Sequence, residues 1–236
     1  MNKMPKLIHQ IWSGIDEPLP KHLRVLGETW KKYHPDWSYE FWDNDRITSF
    51  IKQYYPQYWE VYCSFQYNIQ RWDAIRYLIL EKIGGMYADF DTECLASHND
   101  LLEGKTCCFS MEPKEHAKPF KRELFFNNAL MASVPGHPFM KKIVETVFQY
   151  KKPETTAGTW RQRVVEIFNT TGPLLLIKLY DKYPDKESIY LIPAKYVSPF
   201  TADEITSLRR GYESKELEDK LQEAYSIHYF YNGWVE

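Results

Sequence analysis

The chain has 236 residues, a formal net charge of -2, 44% hydrophobic and 17% aromatic residues, including 18 Tyr and 8 Trp. That length suits one large domain, and we read a single domain over 1–236. The charge balance excludes the basic footprint a nucleic-acid partner needs, and no apolar run reaches the roughly 20 residues of a membrane-spanning helix.

Pro5–Trp12 reads as a strand with a polar interruption at His9-Gln10. A turn-like Asp16–Pro20 precedes an amphipathic helix over Leu19–Tyr33, ended before His34-Pro35. Trp37–Trp42 alternates in polarity and reads as the second strand. Asp43-Asn44-Asp45 is placed to cap a helix over Arg46–Tyr54, and the aromatic-rich Tyr54–Tyr67 is assigned to packing. In Ile69–Ile83 the apolar Ile69, Trp72, Ile75, Ile79, Leu80 and Ile83 recur at helical spacing. Asp73 and Arg76 share a face of that helix. As an exposed pair they contribute well under ~1 kcal/mol, so a plain surface pair is the alternative to a functional one.

Gly84-Gly85 stops the helix, because glycine accepts the left-handed conformation at little cost. Met86–Phe90 reads as a short buried strand. Residues two apart on a strand share a side, so Asp89 and Asp91 are expected to project together, with Phe90 turned into the core. Two carboxylates on one side repel unless a cation lies between them. Manganese or magnesium takes carboxylates, waters and the oxygens of a substrate diphosphate. Two solvated aspartates at a turn are the other reading, because Asp-x-Asp is so short.

Beyond the turn, Thr92–Leu95 is extended, Asn99-Asp100 marks a turn and Thr106–Met111 reads as a strand. Cys63, Cys94, Cys107 and Cys108 show no CxxC spacing, so free thiols in a reducing cytosol are expected. With no signal-like apolar core at the N-terminus, we expect a cytoplasmic protein touching the inner face of the cell membrane. Glu112–Arg122 is read as a loop. Phe125–Ala132 is strand-like but contains Asn127 and Asn128, amides that need partners. His137 is placed to cap a helix over Pro138–Tyr150, whose end is basic at Lys151 and Lys152. Trp160–Phe168 and Leu174–Tyr183 read as helices around Thr171-Gly172-Pro173. Ile189–Pro193 reads as an edge strand, Thr201-x-x-Glu204 as a capping box, and Glu213–Ala224 as a charged helix.

The helix–GG–x–Y–x–D–x–D pattern resembles the sugar-binding DxD region of glycosyltransferase family 32. The likeness extends to Pro5–Trp12, to Arg71–Tyr77, to Asn127–Pro138, to the Thr-Gly-Pro turn and to the end from Ala224 to Trp234. It implies an α/β fold of the GT-A type, a mixed sheet flanked by helices with a nucleotide-sugar at the C-terminal ends of the strands. It also implies a metal-dependent, retaining transferase. In its image Asp91 holds Mn2+ (or Mg2+) directly, Asp89 directly or through water, and His228 completes the metal or diphosphate site. Trp12 lies beside the base, a core tryptophan being the alternative, and Gln10 belongs to the same element. Asp73 and Arg76 touch ribose and sugar hydroxyls, Arg71 serves structure or phosphate, Asn128 and Asn127 contact the sugar, the amides at Gly172 face the ligand, and Trp234 closes over the phosphates. The end departs from the pattern, with Tyr229-Phe230 and Asn232-Gly233 where it has Trp and Ser. The expected donor is UDP-linked and the acceptor a glycan or lipid-linked glycan in bacterial capsule or surface polysaccharide synthesis. A sugar-phosphate transferase, a nucleotidyltransferase and a non-catalytic carbohydrate-binding relative are the rivals.

Overall fold

The structure is a computed structural model and describes residues 3–13, 17–152 and 158–231. In chain order the first half runs β1 (Leu7–Ile11), α1 (Lys21–Tyr33), β2 (Ser38–Trp42), α2 (Asn44–Tyr54), α3 (Trp59–Ser64), α4 (Asn68–Lys82), β3 (Gly85–Ala88) and β4 (Thr92–Cys94). It continues with α5 (Asn99–Leu102), β5 (Cys107–Met111), α6 (Lys114–Ala117), β6 (Phe126–Ser133), α7 (Pro138–Val147), α8 (Trp160–Thr170), α9 (Pro173–Lys182) and β7 (Tyr190–Ile192). The short helices α10 (Ala194–Val197), α11 (Ala202–Arg209) and α12 (Lys215–Leu221) then lead to β8 (Ser226–His228).

Six strands form one mixed sheet in the order β2-β1-β3-β6-β5-β7. β1 is parallel to β2 and β3, β6 is antiparallel to β3 and β5, and β7 runs parallel to β5 at the edge. Strand alternation divides the core. Met86, Ala88, Leu130, Ala132 and Cys108 pack on one face with Ile8 and Trp30, while Tyr87, Met131, Cys107 and Phe109 pack on the other beneath α4 and α7. The adjacent thiols of Cys107 and Cys108 thus belong to opposite faces and are free, as expected.

Helix α4 lies centrally, buried without a break from Asp73 to Leu80. Full burial of a side chain such as Ile75, Leu78, Ile79 or Leu80 contributes about 1.5–3 kcal/mol, which offsets the cost of taking Asp73 and Arg76 inside with them. Gly84 and Gly85 end the helix at φ +73° and +97°. A Cβ at Gly84 would meet Ser133 O at 2.7 Å, and one at Gly85 would meet Leu7 O at 2.7 Å, so close backbone packing also demands glycine there. Local signals elsewhere appear where expected. Asp43 caps α2 through Arg46 N at 2.9 Å, His137 caps α7, and Thr201 and Glu204 form a capping box.

Three features differ from expectation. Strand β3 ends at Ala88, so Asp89–Asp91 lie in the turn before β4, closed by Thr92 N donating to Asp89 O at 3.1 Å. Phe90 is buried, as expected, but packs against Trp12 and Phe41, outside the two clusters on the faces of the main sheet. The 112–122 stretch contains α6 and a 3-10 turn, Lys118–Phe120. A second, two-stranded sheet pairs β4 with β8, setting Thr92 opposite His228.

Candidate active site

Arg76 is the centre of a buried polar network that braces the acidic turn from behind. Its Nη1 lies 3.0 Å from Asp89 Oδ1 and donates to Asn128 O at 2.8 Å, and its Nη2 lies 3.4 Å from Asp73 Oδ1. Tyr87 OH also donates to Asp89 Oδ1. Asp73 accepts from Asn128 Nδ2 at 2.7 Å and from Thr171 Oγ1 at 2.8 Å. Burial pushes the Asp73 carboxyl up to about 6 against the opposing pull of Arg76, Thr171 and Asn128. Burial also raises Asp89, against Arg76.

Several residues expected to touch ligand have polar groups already engaged within the fold. Asp73 and Arg76 are each 3% exposed, and Arg76 braces Asp89 from within the fold. The Asn128 amide nitrogen is committed to Asp73 and to Tyr77 OH at 2.8 Å. Arg71 turns back onto Phe65 O and Asn68 at the start of α4. The Gly172 amide donates to Ile167 O at 2.9 Å, and a Cβ there would meet Phe168 Cα at 3.1 Å, so this glycine serves a tight turn. Gln10 is fully buried; its Nε2 donates to Ala88 O at 3.3 Å while its Oε1 accepts from Tyr39 OH at 2.9 Å, fixing the end of β3. Trp234 lies outside the described residues.

The front of the turn is different. The β4–β8 pairing carries His228 alongside Asp91, with Nε2 3.5 Å from Oδ2. The Tyr231 amide donates to the same oxygen at 2.9 Å. Burial would raise the Asp91 carboxyl, but His228 and the Tyr231 amide hold it below its ordinary value. One potential ligand atom from each of Asp89, Asp91 and His228 lies within 4.8 Å of the others, and all three residues are half-buried. Two carboxylates converging at this range suit a hard divalent cation.

Phe90 links this turn to a cavity of about 650 Å³ lined among others by Trp12, Gly27, Phe41, Asp43 and Asp45. Trp12 meets Phe90 edge-on at 6.3 Å and donates from Nε1 to Glu17 O at 2.9 Å. The indole is half-buried and forms part of the cavity wall. A Cβ at Gly27 would meet Phe90 Cε1 at 2.8 Å, so glycine lets α1 approach the wall closely.

Asn127, expected to contact the sugar, lies beside His228, and sequence reasoning missed the side chains that hold it there. Asn127 Oδ1 accepts from Ser110 Oγ at 2.5 Å and from Ala129 N at 3.1 Å, and its Nδ2 donates to Glu112 Oε1 at 2.8 Å. Glu112 Oε2 lies 2.6 Å from His116 Nδ1, and His116 Nε2 accepts from Ala202 N at 3.1 Å. The Glu-x-x-x-His spacing from Glu112 to His116, four residues apart across the start of α6, was the available signal.

A second triad, His34, Cys94 and His98, also has ligand-type atoms within 4.8 Å of one another and is wholly buried. Its hydrogen bonds argue against a metal. His34 Nδ1 donates to Trp30 O at 3.0 Å because His34 Nε2 accepts from His98 N at 2.9 Å. His98 Nδ1 faces Ala96 O at 3.1 Å, and Cys94 Sγ donates to the same carbonyl at 3.2 Å. The ring nitrogens nearest the sulfur, each 3.9 Å away, therefore carry protons and offer no lone pair.

Comparison with known proteins places these features in context. Residues 20–107 match the family described as "Glycosyltransferase sugar-binding region containing DXD motif". A mannosyl phosphorylinositol ceramide synthase of Saccharomyces cerevisiae is 32% identical over 187 residues, covering 76% of this chain and 43% of the relative. An inositol phosphoceramide mannosyltransferase of Schizosaccharomyces pombe is 29% identical over 199 residues, covering 82% and 57%. The chain thus spans about half the length of these two yeast relatives. An uncharacterized glycosyltransferase of Acanthamoeba polyphaga mimivirus is 30% identical over 239 residues, covering 98% of this chain and 84% of the relative. Among solved structures, the PaToxG glycosyltransferase shares the fold with a TM-score of 0.54 at 16% identity, over 79% of this chain and 73% of that one. The fold is that of the GT-A glycosyltransferases.

Proposed function

Because this chain belongs to the DXD-motif glycosyltransferase family, we propose that it moves a sugar from a nucleoside diphosphate donor to a hydroxyl of a glycan or lipid acceptor. The observation that carries the reading is the Asp89–Asp91–His228 cluster, with Phe90, the residue between the two aspartates, on the wall of an aromatic cavity. Asp91 and Asp89 would hold a divalent cation, manganese or magnesium. The chemistry such a cation supplies is neutralisation of the charge that develops on the departing diphosphate.

The chain's own residues do the rest. Arg76 and Tyr87 fix the rotamer of Asp89, so that one carboxylate is set before the donor arrives. Trp12 and Phe90 offer aromatic surface to the base, an interaction worth roughly 1–3 kcal/mol in single-strand binders. We assign no general base and expect the acceptor hydroxyl to attack on the face the leaving group vacates, giving retention. The names of the two yeast relatives support mannose as the sugar and an inositol phosphoceramide-type lipid as acceptor. Asp43 and Asp45 on the cavity wall are acceptors, which suits guanine with its N1–H and exocyclic amine better than uracil with one N–H. We therefore propose GDP-mannose ahead of the UDP donor expected from the sequence.

The test is donor turnover by the purified chain with manganese across GDP-mannose, UDP-glucose, UDP-galactose and UDP-N-acetylglucosamine. GDP-mannose should be consumed fastest, and Asp89→Ala, Asp91→Ala and the double variant should lose turnover with the melting temperature held. Unchanged turnover in the double variant refutes the reading. Label from the β-phosphate appearing in the product would assign a sugar-phosphate transferase instead.

A further inference from the structure

We propose that the outer side of α8, together with the basic turn packed against it, is the face by which this protein rests on an anionic lipid bilayer. This deepens the acceptor reading above, on which it rests for what the bilayer carries.

Helix α8 is seated lightly. Of its 11 residues only Ile167 is buried, whereas α7 buries five of its 10. Trp160 is 51% and Val165 52% exposed, so a covering surface would take apolar area out of water at both. Arg161, Val165 and Asn169 follow one another at four-residue intervals and share one side of the helix. Asn169 Oδ1 accepts from Lys178 Nζ at 2.5 Å, which keeps that ammonium at the edge of the same side. The one acid of the helix, Glu166, is turned elsewhere, with its Oε1 buried beside Tyr67 and Tyr150.

The neighbouring turn adds positive charge. Phe120 stacks on Phe125 at 5.1 Å and meets Phe168 of α8 at 5.8 Å, which holds the turn Lys118–Phe120 against the helix. Lys118 and Lys121 are exposed there, with Glu123 the exposed acid nearby, while Asp181 is matched by Arg122 at 2.7 Å. Arg161, Lys178, Lys118 and Lys121 therefore flank two exposed apolar side chains, one of them a tryptophan. That is the composition with which helices settle into the headgroup boundary of anionic membranes. Lysine is depleted at protein–protein interfaces, which favours lipid over a protein partner.

Both parts of the face are tied to the site. Thr171, which ends α8, donates to Asp73 Oδ2 at 2.8 Å. The basic turn leads through Phe125 into the start of β6, and farther along that strand Ala129 O accepts from the Asp89 amide at 2.8 Å.

The test is co-sedimentation of the purified chain, without donor or metal, with vesicles of phosphatidylcholine alone or with about one-third phosphatidylserine. Binding is expected to the mixed vesicles only, falling steeply between about 0.1 M and about 0.5 M salt. Lys118→Glu combined with Lys121→Glu should weaken it by roughly 10–100-fold. Trp160→Ala combined with Val165→Ser should weaken it by roughly tenfold. Both variants should keep the parent's melting temperature and its donor turnover in solution. Equal binding to the two vesicle types, binding to neither, or binding untouched by the four substitutions overturns the proposal. A chain that binds vesicles but consumes no donor refutes the transferase reading and leaves the docking face standing, whereas turnover without vesicle binding refutes the docking face alone.

Discussion

Two triads flank the short strand β4. Asp89, Asp91 and His228 lie at its start, and His34, Cys94 and His98 at its end. Each puts metal-ligating side-chain types within one coordination sphere of one another, and by spacing alone they are equals. They differ in how their lone pairs are used. In the inner triad the nitrogens nearest the sulfur carry protons fixed by backbone partners, and the thiol is pushed up to about 12 by burial. In the outer one, the Tyr231 amide and His228 hold the Asp91 carboxyl below its ordinary value, so it stays anionic. Proximity nominates a site, and hydrogen bonding already in place decides whether it is open.

That contrast can be broken most severely at Asp91. Asp91→Asn removes the charge and keeps the shape, and transfer should fall roughly 10²–10³-fold, the scale of losing one charge-stabilising group. Cys94→Ser, at the other end of the same strand, should leave transfer within about twofold while costing roughly 1–3 kcal/mol of stability, read by urea unfolding, for a strained buried polar group. Equal losses of transfer from the two would erase the distinction. A smaller effect separates the triads by stability alone. Exhaustive chelation should leave the melting temperature unchanged if His34, Cys94 and His98 hold no ion, and a fall of several degrees that zinc reverses would show that they do.

The smallest expected effect is in pH. Burial pushes the His98 imidazole down to about 3, helped by the His34 ring. In the unfolded chain an imidazole takes its proton near 6.5. Between those values the unfolded state binds more protons, so this contribution is whole above about pH 6.5 and is lost as pH falls. Replacing His98 by Gln should remove about 2 kcal/mol of the stability difference between pH 7 and pH 5, at roughly 1.4 kcal/mol per unit. An unaltered pH slope in urea titrations would mean that His98 is protonated in the fold.

Much of the scaffold was legible because its signals are local. The helical spacing into Gly84-Gly85, the Asp43 cap and the Thr201–Glu204 box each depend on residues within a few positions of one another. The acidic turn was legible for the same reason, although its strand stops sooner than alternation suggested. Side-chain destinations were not. Gln10, Arg71 and Asn128 carry groups as fit for a sugar as for a backbone carbonyl, and only the packed fold shows that carbonyls, carboxylates and hydroxyls reach them first. Nor was the β4–β8 sheet, since three-residue strands so far apart in sequence leave no periodicity to read.

That small sheet has a consequence for biosynthesis. The last strand of the six-stranded sheet ends at Ile192, whereas His228 and the Tyr231 amide come from the stretch the ribosome delivers later. Domains form from the N-terminal side as they emerge. A nascent chain can thus possess its entire six-stranded sheet while Asp91 still lacks the two partners that hold its carboxylate, His228 and the Tyr231 amide.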